Sequence, residues 1–157
     1  MSRTNTFLNG SYRGTYTEVG GVEQGWTSAI SVHNDKLDGQ HKKMIDMASV
    51  LISAVHDGKA HEVVDDLMAF LRGYCQEHFA DEEAYMLAKG YPHAQEHRCV
   101  HLQFLTDIEK LKLTYDTQGM TDDVLKDLKR RVSGWIINHI AGADQDYARF
   151  VAAKHLT

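Results

Sequence analysis

The chain has 157 residues, 43% of them hydrophobic and 25% charged, with a single proline; this suits one globular domain with a sizeable core and excludes a disordered or fibrous chain. A formal net charge of -5 leaves a nucleic-acid or anionic-membrane partner without electrostatic support. No apolar run reaches the roughly 18 residues of a membrane span, and the opening MSRTNTFLNGSYRG lacks an apolar leader, so the expected location is cytoplasmic, with no nucleic-acid and no membrane partner.

Residues 1–25 are rich in Gly, Ser, Thr and Asn and lack periodicity, so they read as an irregular N-terminal arm. Trp26 and the segment 29–37 lead into the first helix without forming a regular element. Residues 26–157 read as one helical domain. Asp38 is the expected N-cap of its first helix, which runs to about His56 and is stopped by Gly58. Met44, Ile45, Ala48, Ile52 and Val55 form an apolar stripe in register with His41. A second helix is expected over about 61–88, with Val64, Leu67 and Leu71 on the face of His78 and Glu82, and Gly90 and Pro92 punctuating its end. A third runs over about 93–115, where Leu105, Ile108 and Leu111 continue the face of His97 and His101 until Gly119 breaks it. The fourth starts near Thr121, with Asp122 and Asp123 suiting its first turn and Leu125, Leu128, Val132, Trp135 and His139 forming its stripe. A short further helix is expected over 144–154. Helical periodicity and short connections predict an all-α fold, an up-down-up-down antiparallel four-helix bundle.

Five histidines and two carboxylates fall on these stripes: His41, HxxxE at His78 and Glu82, HxxxH at His97 and His101, and HxxxxD at His139 and Asp144. Residues four apart share one helix face, so each pair can reach one centre or two adjacent ones. Imidazole suits iron, copper and zinc, and a carboxylate can bridge two cations. Two octahedral ions need roughly twelve ligand positions. Five imidazoles, two bridging carboxylates and a shared solvent oxygen leave one open, on the ion with fewer histidines. An open position on a metal pair inside an apolar bundle is what reversible oxygen binding requires.

His139 and Asp144 lie about 140° apart on an ideal helix. The helix must therefore bulge or end between them, and Ala141-Gly142-Ala143 is where it can. Against a metal site stands the total of ten histidines, among which chance pairs four apart are unsurprising. However, seven unpaired buried polar side chains would carry a large desolvation cost, which a shared metal centre removes. Cys75 and Cys99 are expected to be free thiols. His33 is expected in a loop or at the surface, and His56, His61, His93 and His155 at helix ends.

The motifs DGQHKKM (38–44), HFADEEAYM (78–86), GYPHAQEHRCVH (90–101) and WIINHIAGAD (135–144) together resemble the hemerythrin family, specifically its single-domain bacterial members. The resemblance implies two non-haem iron ions with a bridging oxo or hydroxo group and dioxygen as the ligand. One iron would take His97, His101 and His139 and the other His41 and His78, with Glu82 and Asp144 bridging. Dioxygen would bind end-on to the two-histidine iron. The same comparison puts Met44, Phe79, Trp135 and Ile140 at the oxygen pocket, where family members usually carry leucine at the position of Met44, and Tyr147 beside a bridging carboxylate. For all five, plain packing is the competing account.

The expected function is reversible dioxygen binding, for storage, delivery or scavenging, with no catalytic residue. A sensor of oxygen, redox state or nitric oxide acting through a separate signalling or oxygen-using protein is the alternative, and a di-iron peroxidase or oxidase the third. Histidine-rich rather than carboxylate-rich ligation favours carriage over oxidation.

Overall fold

The computed structural model describes the backbone of residues 5–9, 12–16, 25–58 and 60–154, and the side chains of 25–58 and 64–154. Within the arm, where no regular element was expected, strands β1 (Asn5–Asn9) and β2 (Tyr12–Tyr16) pair antiparallel, Asn5 opposite Tyr16 and Asn9 opposite Tyr12. Thr6, Phe7, Tyr12, Thr15 and Tyr16 are residue types that favour strands. Residues 1–4, 10, 11 and 17–24 of the arm, like His155, lie outside the described residues.

From residue 28 onward every element is helical. A 3-10 turn (Ser28–Ile30) precedes α1 (Asp35–His56), α2 (Ala60–Lys89) and α3 (Ala94–Gln118). The fourth rod is composite: α4 (Asp122–Leu128), a π-helical segment (Lys129–Gly134) and α5 (Trp135–Ala141). A final helix, α6 (Ala143–Lys154), follows. The first three rods run antiparallel to their neighbours, α1 packs on α2 and α2 on α3, and the fourth rod closes the ring against α3 and α1. This is the expected all-α four-helix bundle.

The seam follows from residue spacing. On α3 the buried positions are Ala94, His97, His101, Phe104, Ile108, Leu111 and Tyr115, alternating three and four apart. That 3.5-residue repeat keeps one stripe facing its neighbours along the whole helix. The fourth rod differs. Its buried apolar positions are Val124, Leu128, Val132, Ile136 and Ile140, every one four after the last. On an α-helix each such step overshoots a full turn by about 40°. The π segment, with its wider turn, absorbs the drift and keeps the row facing inward. The expected stripe was therefore slightly out of phase: Leu125 and Trp135 are only half-buried, and Val124 and Ile136 take the inner places.

Helix ends follow local chemistry. Thr121 caps α4 by accepting from the Val124 amide (3.2 Å). Gly58 and Gly119 end α1 and α3 at a φ of +72°. Asp38, however, is not the cap of α1. Asn34 is, accepting from the amides of Lys36 and Leu37 at 3.1 Å each. Asp38 lies one turn inside, nearly buried, and accepts from Ser31 Oγ (2.6 Å) and the Val32 amide (2.9 Å). It ties the lead-in segment to the helix instead.

The main core fills the bundle with Met44, Leu51, Leu71, Phe104, Leu128 and their neighbours. A smaller cluster of Val32, Leu37, Met86, Ala94, Tyr147 and Ala148 docks α6 at the end where α1 begins and α2 ends. Lys154 Nζ reaches the Lys89 carbonyl (2.9 Å), and Gln145 Nε2 the Ile30 carbonyl (3.0 Å). No helix among the described residues is long and apolar enough to cross a membrane.

Candidate metal centre

All seven sequence-predicted donors meet between the rods, each nearly or fully buried. α1 supplies His41, α2 supplies His78 and Glu82 one turn apart, α3 supplies His97 and His101 one turn apart, α5 supplies His139 and α6 supplies Asp144.

The imidazoles divide into two groups. The Nε2 atoms of His97, His101 and His139 form a near-equilateral triangle with sides of 3.0, 3.0 and 3.1 Å. The Nε2 atoms of His41 and His78 lie 3.1 Å apart. For a metal–nitrogen bond of about 2.1 Å, adjacent octahedral vertices lie about 3.0 Å apart and tetrahedral ones about 3.4 Å apart. The triangle has the dimensions of one octahedral face.

Glu82 and Asp144 sit between the groups, and each splits its oxygens between them. Glu82 Oε2 lies 3.1 Å from His101 Nε2 and 3.3 Å from His97 Nε2, whereas Oε1 lies 3.7 and 3.8 Å from those of His41 and His78. Asp144 Oδ1 lies 2.9 Å from His139 and 3.2 Å from His97, with Oδ2 3.3 Å from His41. Tyr147 Oη donates to Glu82 Oε1 (2.7 Å). Glu82 Oε2 and both oxygens of Asp144 have no hydrogen-bond partner among the described residues. Three orphaned carboxylate oxygens, fully buried and aimed into a ring of imidazole nitrogens, cost several kcal/mol unless cations face them. The donor set fits two metal ions with shared carboxylates, three imidazoles on one side and two on the other.

Protons partly fill that role in the metal-free chain. Burial pushes His41 and His97 down, but Asp144 and Glu82 overcome it and raise both to about 9. Burial dominates at His78 and lowers it to about 4. Glu82 and Asp144 stay ionised despite burial because the surrounding histidines outweigh it, His101, His41 and His97 at Glu82 and chiefly His139 at Asp144. Burial and the two neighbouring carboxylates keep the Tyr147 hydroxyl protonated, as a donor to Glu82 must be.

The break before Asp144 is present. α5 ends at Ala141, the Gly142 amide turns back to the His139 carbonyl (3.2 Å), and α6 begins one residue later. A Cβ on Gly142 would lie 2.9 Å from the Asn138 carbonyl oxygen, so only glycine fits without a backbone shift.

Two of the four residues expected at an oxygen pocket stack on the rings, and the other two are buried in the adjoining core. Phe79 stacks on the His101 imidazole (centroids 3.9 Å, 8° between planes) and Trp135 on that of His139 (4.3 Å, 10°). Met44 is buried with its sulfur 3.6 Å from Cys75 Sγ, and Ile140 is buried in the same core. Cys75 is a free buried thiol pushed up to about 12 by burial, and Cys99 is free and exposed. His33 is exposed in the lead-in loop, His56 ends α1, His61 lies in the first turn of α2 and His93 precedes α3.

Sequence reasoning missed the outer supports. His78 Nδ1 lies 3.0 Å from Gln40 Oε1, and Gln40 Nε2 donates to Asp81 Oδ2 (2.7 Å), itself paired with Lys36 (2.7 Å). His101 Nδ1 lies 3.0 Å from Glu83 Oε1, whose other oxygen is 3.4 Å from Arg98 Nε. The available signal was adjacency: Gln40 and Glu83 each neighbour a donor in sequence and so point about 100° round the helix, toward the next rod.

A family model described as the hemerythrin HHE cation binding domain matches residues 32–151. A bacteriohemerythrin of Stenotrophomonas maltophilia is 30% identical over 131 residues, covering 82% of this chain and 81% of its own. A bacteriohemerythrin of Pseudomonas paraeruginosa is 29% identical over 122 residues, covering 78% and 77%. A myohemerythrin of Theromyzon tessulatum is 27% identical over 122 residues, covering 78% and 88%.

Proposed function

The chain belongs to the hemerythrin family, and from that premise we propose that it binds dioxygen reversibly at a non-haem di-iron site, for storage, delivery or scavenging. The observation that carries the reading is the set of orphaned oxygens on Glu82 and Asp144 between three histidine nitrogens and two. His97, His101 and His139 would hold one iron and His41 and His78 the other, with Glu82, Asp144 and an oxo or hydroxo group shared. When bound, a ferrous pair supplies two electrons and an open coordination position to dioxygen.

The protein's part is to bind, orient and exclude. Phe79 and Trp135, stacked flat on two imidazoles, hold the ring planes of His101 and His139 and seal that side with apolar surface. Met44 and Ile140 extend the apolar wall, which keeps water from drawing charge and oxygen away together. Tyr147 holds its proton on the hydrogen bond to Glu82 Oε1 and fixes that carboxylate across the two groups. Histidine-rich ligation offers no general acid or nucleophile for a further substrate, which favours carriage over turnover.

Anaerobic loading tests this directly. The expected result is about two iron ions per chain and an absorption band that appears with dioxygen and disappears on its removal through repeated cycles. Irreversible oxidation at the first exposure overturns it, and steady turnover of peroxide with an electron donor replaces it with a peroxidase.

A further inference from the structure

Each metal-facing imidazole must present Nε2 as a lone pair, and for a neutral ring that requires the proton on Nδ1. At two of the five rings the chain's own hydrogen bonds decide where that proton sits. The Glu83 carboxylate can only accept, so His101 Nδ1, 3.0 Å away, must be the donor. At His78 the partner is an amide, which could present either end. Asp81 removes the choice: as a carboxylate it accepts from Gln40 Nε2, so Gln40 Oε1 is left facing His78 Nδ1. Lys36, 2.7 Å from Asp81, keeps that carboxylate charged. Resting on the di-iron reading above, we propose that Gln40 and Glu83 are positioning residues for the two halves of the site, each fixing one histidine in the metal-binding tautomer, Gln40 under the command of Asp81.

The two supports differ in kind. Glu83 places a full negative charge against its imidazole, with Arg98 on the far oxygen. Gln40 is nearly buried, and a carboxylate there would set one oxygen against Asp81, anion to anion, where the amide donates a hydrogen bond; the neutral amide conveys the direction of Asp81 without a second anion. The three-histidine half is therefore backed by charge and the two-histidine half by a dipole. A charged acceptor makes an imidazole the better electron donor, so the halves are electronically unequal before any ligand arrives.

The test uses the full chain with ferrous iron under chelator competition, and the zinc-loaded chain for nitrogen-15 spectra of the imidazole rings. Glu83→Leu should weaken one of the two ions by about 10–100-fold and Gln40→Met the other, the range found when such supports are removed. Glu83→Gln, which keeps an acceptor, should recover most of the loss. The Nδ1–H signal of His78 should exchange faster only in the Gln40 variant, and that of His101 only in Glu83→Leu. Asp81→Asn lies at the partly exposed edge and spares the core; it should mimic Gln40→Met, because an asparagine lets the amide turn. If Gln40→Met does not fold, Asp81→Asn carries that arm. Unchanged affinities and ring signals in these variants overturn the proposal, and so does an equal loss at both ions with a lowered melting temperature of the metal-free chain. A wild-type chain that takes up no metal removes the di-iron reading itself.

Discussion

At the scale of single residues, the metal-free centre is a balanced cluster of charge. Glu82 and Asp144 are ionised while His41 and His97 hold protons up to about 9. Both histidines lie above their ordinary 6.5 in the folded chain, so their contribution to stability is complete below about pH 6.5 and is lost as pH rises through about 9. His78 has the opposite sign. Held down to about 4, it costs stability as pH falls from 6.5 toward 4, because only the unfolded chain takes up that proton. Metal and proton therefore compete for the same nitrogens. Loading a chelated sample with a divalent ion should release about two more protons per chain at pH 7 than near pH 10, as read with an indicator dye. Release that does not vary with pH would contradict the assignment of these protons.

At the scale of elements, two irregularities in the last third of the chain aim the donors. The π segment Lys129–Gly134 sets the phase of everything after it. Inserting one alanine after Ser133, a half-buried residue within it, would add about 100° to that phase and turn His139 away from its partners. Helical circular dichroism should persist while metal stoichiometry falls. At the second irregularity, Gly142→Ala forces its Cβ against the Asn138 carbonyl. The expected cost is about 1–3 kcal/mol by thermal melting, with weakened metal binding because Asp144 follows two residues later.

These two features mark what was legible in the sequence. The Gly142 break could be deduced, since a five-residue separation on a continuous helix cannot bring His139 and Asp144 together. The π segment could not be read with the template used. Leu125 and Trp135 suit an ordinary three-four alternation, and the true inner row, Val124 to Ile140 in steps of four, shares Leu128 and Val132 with it but lies one position away towards either end. Helix extents, the Thr121 cap and the stops at Gly58 and Gly119 followed from local chemistry. The Asn34 cap did not, because Asp38 is an equally good cap by residue type and only the fold of Ser31 and Val32 against it decides. The donors were visible because they recur at helical spacing. Gln40 and Glu83 were not, because their role depends on contacts 38 and 18 residues away in sequence.

At the scale of the whole molecule, the centre joins every rod of the bundle and the helix appended to it. Two ions there would cross-link α1, α2, α3, α5 and α6, and would bind the folded chain in preference to the unfolded one. Stability should therefore rise with free metal, by about 2.7 kcal/mol at a hundred times the dissociation constant. Melting with and without a strong chelator measures this, and equal midpoints would sink it. The two shared carboxylates are mounted very differently. Glu82 stands about two turns inside the end of a 30-residue helix packed on both neighbours. Asp144 stands at the start of a 12-residue helix that is set off by the Gly142 break and docked by a small apolar cluster and a few polar ties. One is part of the wall and the other is on a hinged door. The escape of bound metal should then be gated by the opening of α6. Loss to chelator should keep pace with amide hydrogen exchange in 143–154 and not with exchange in α2.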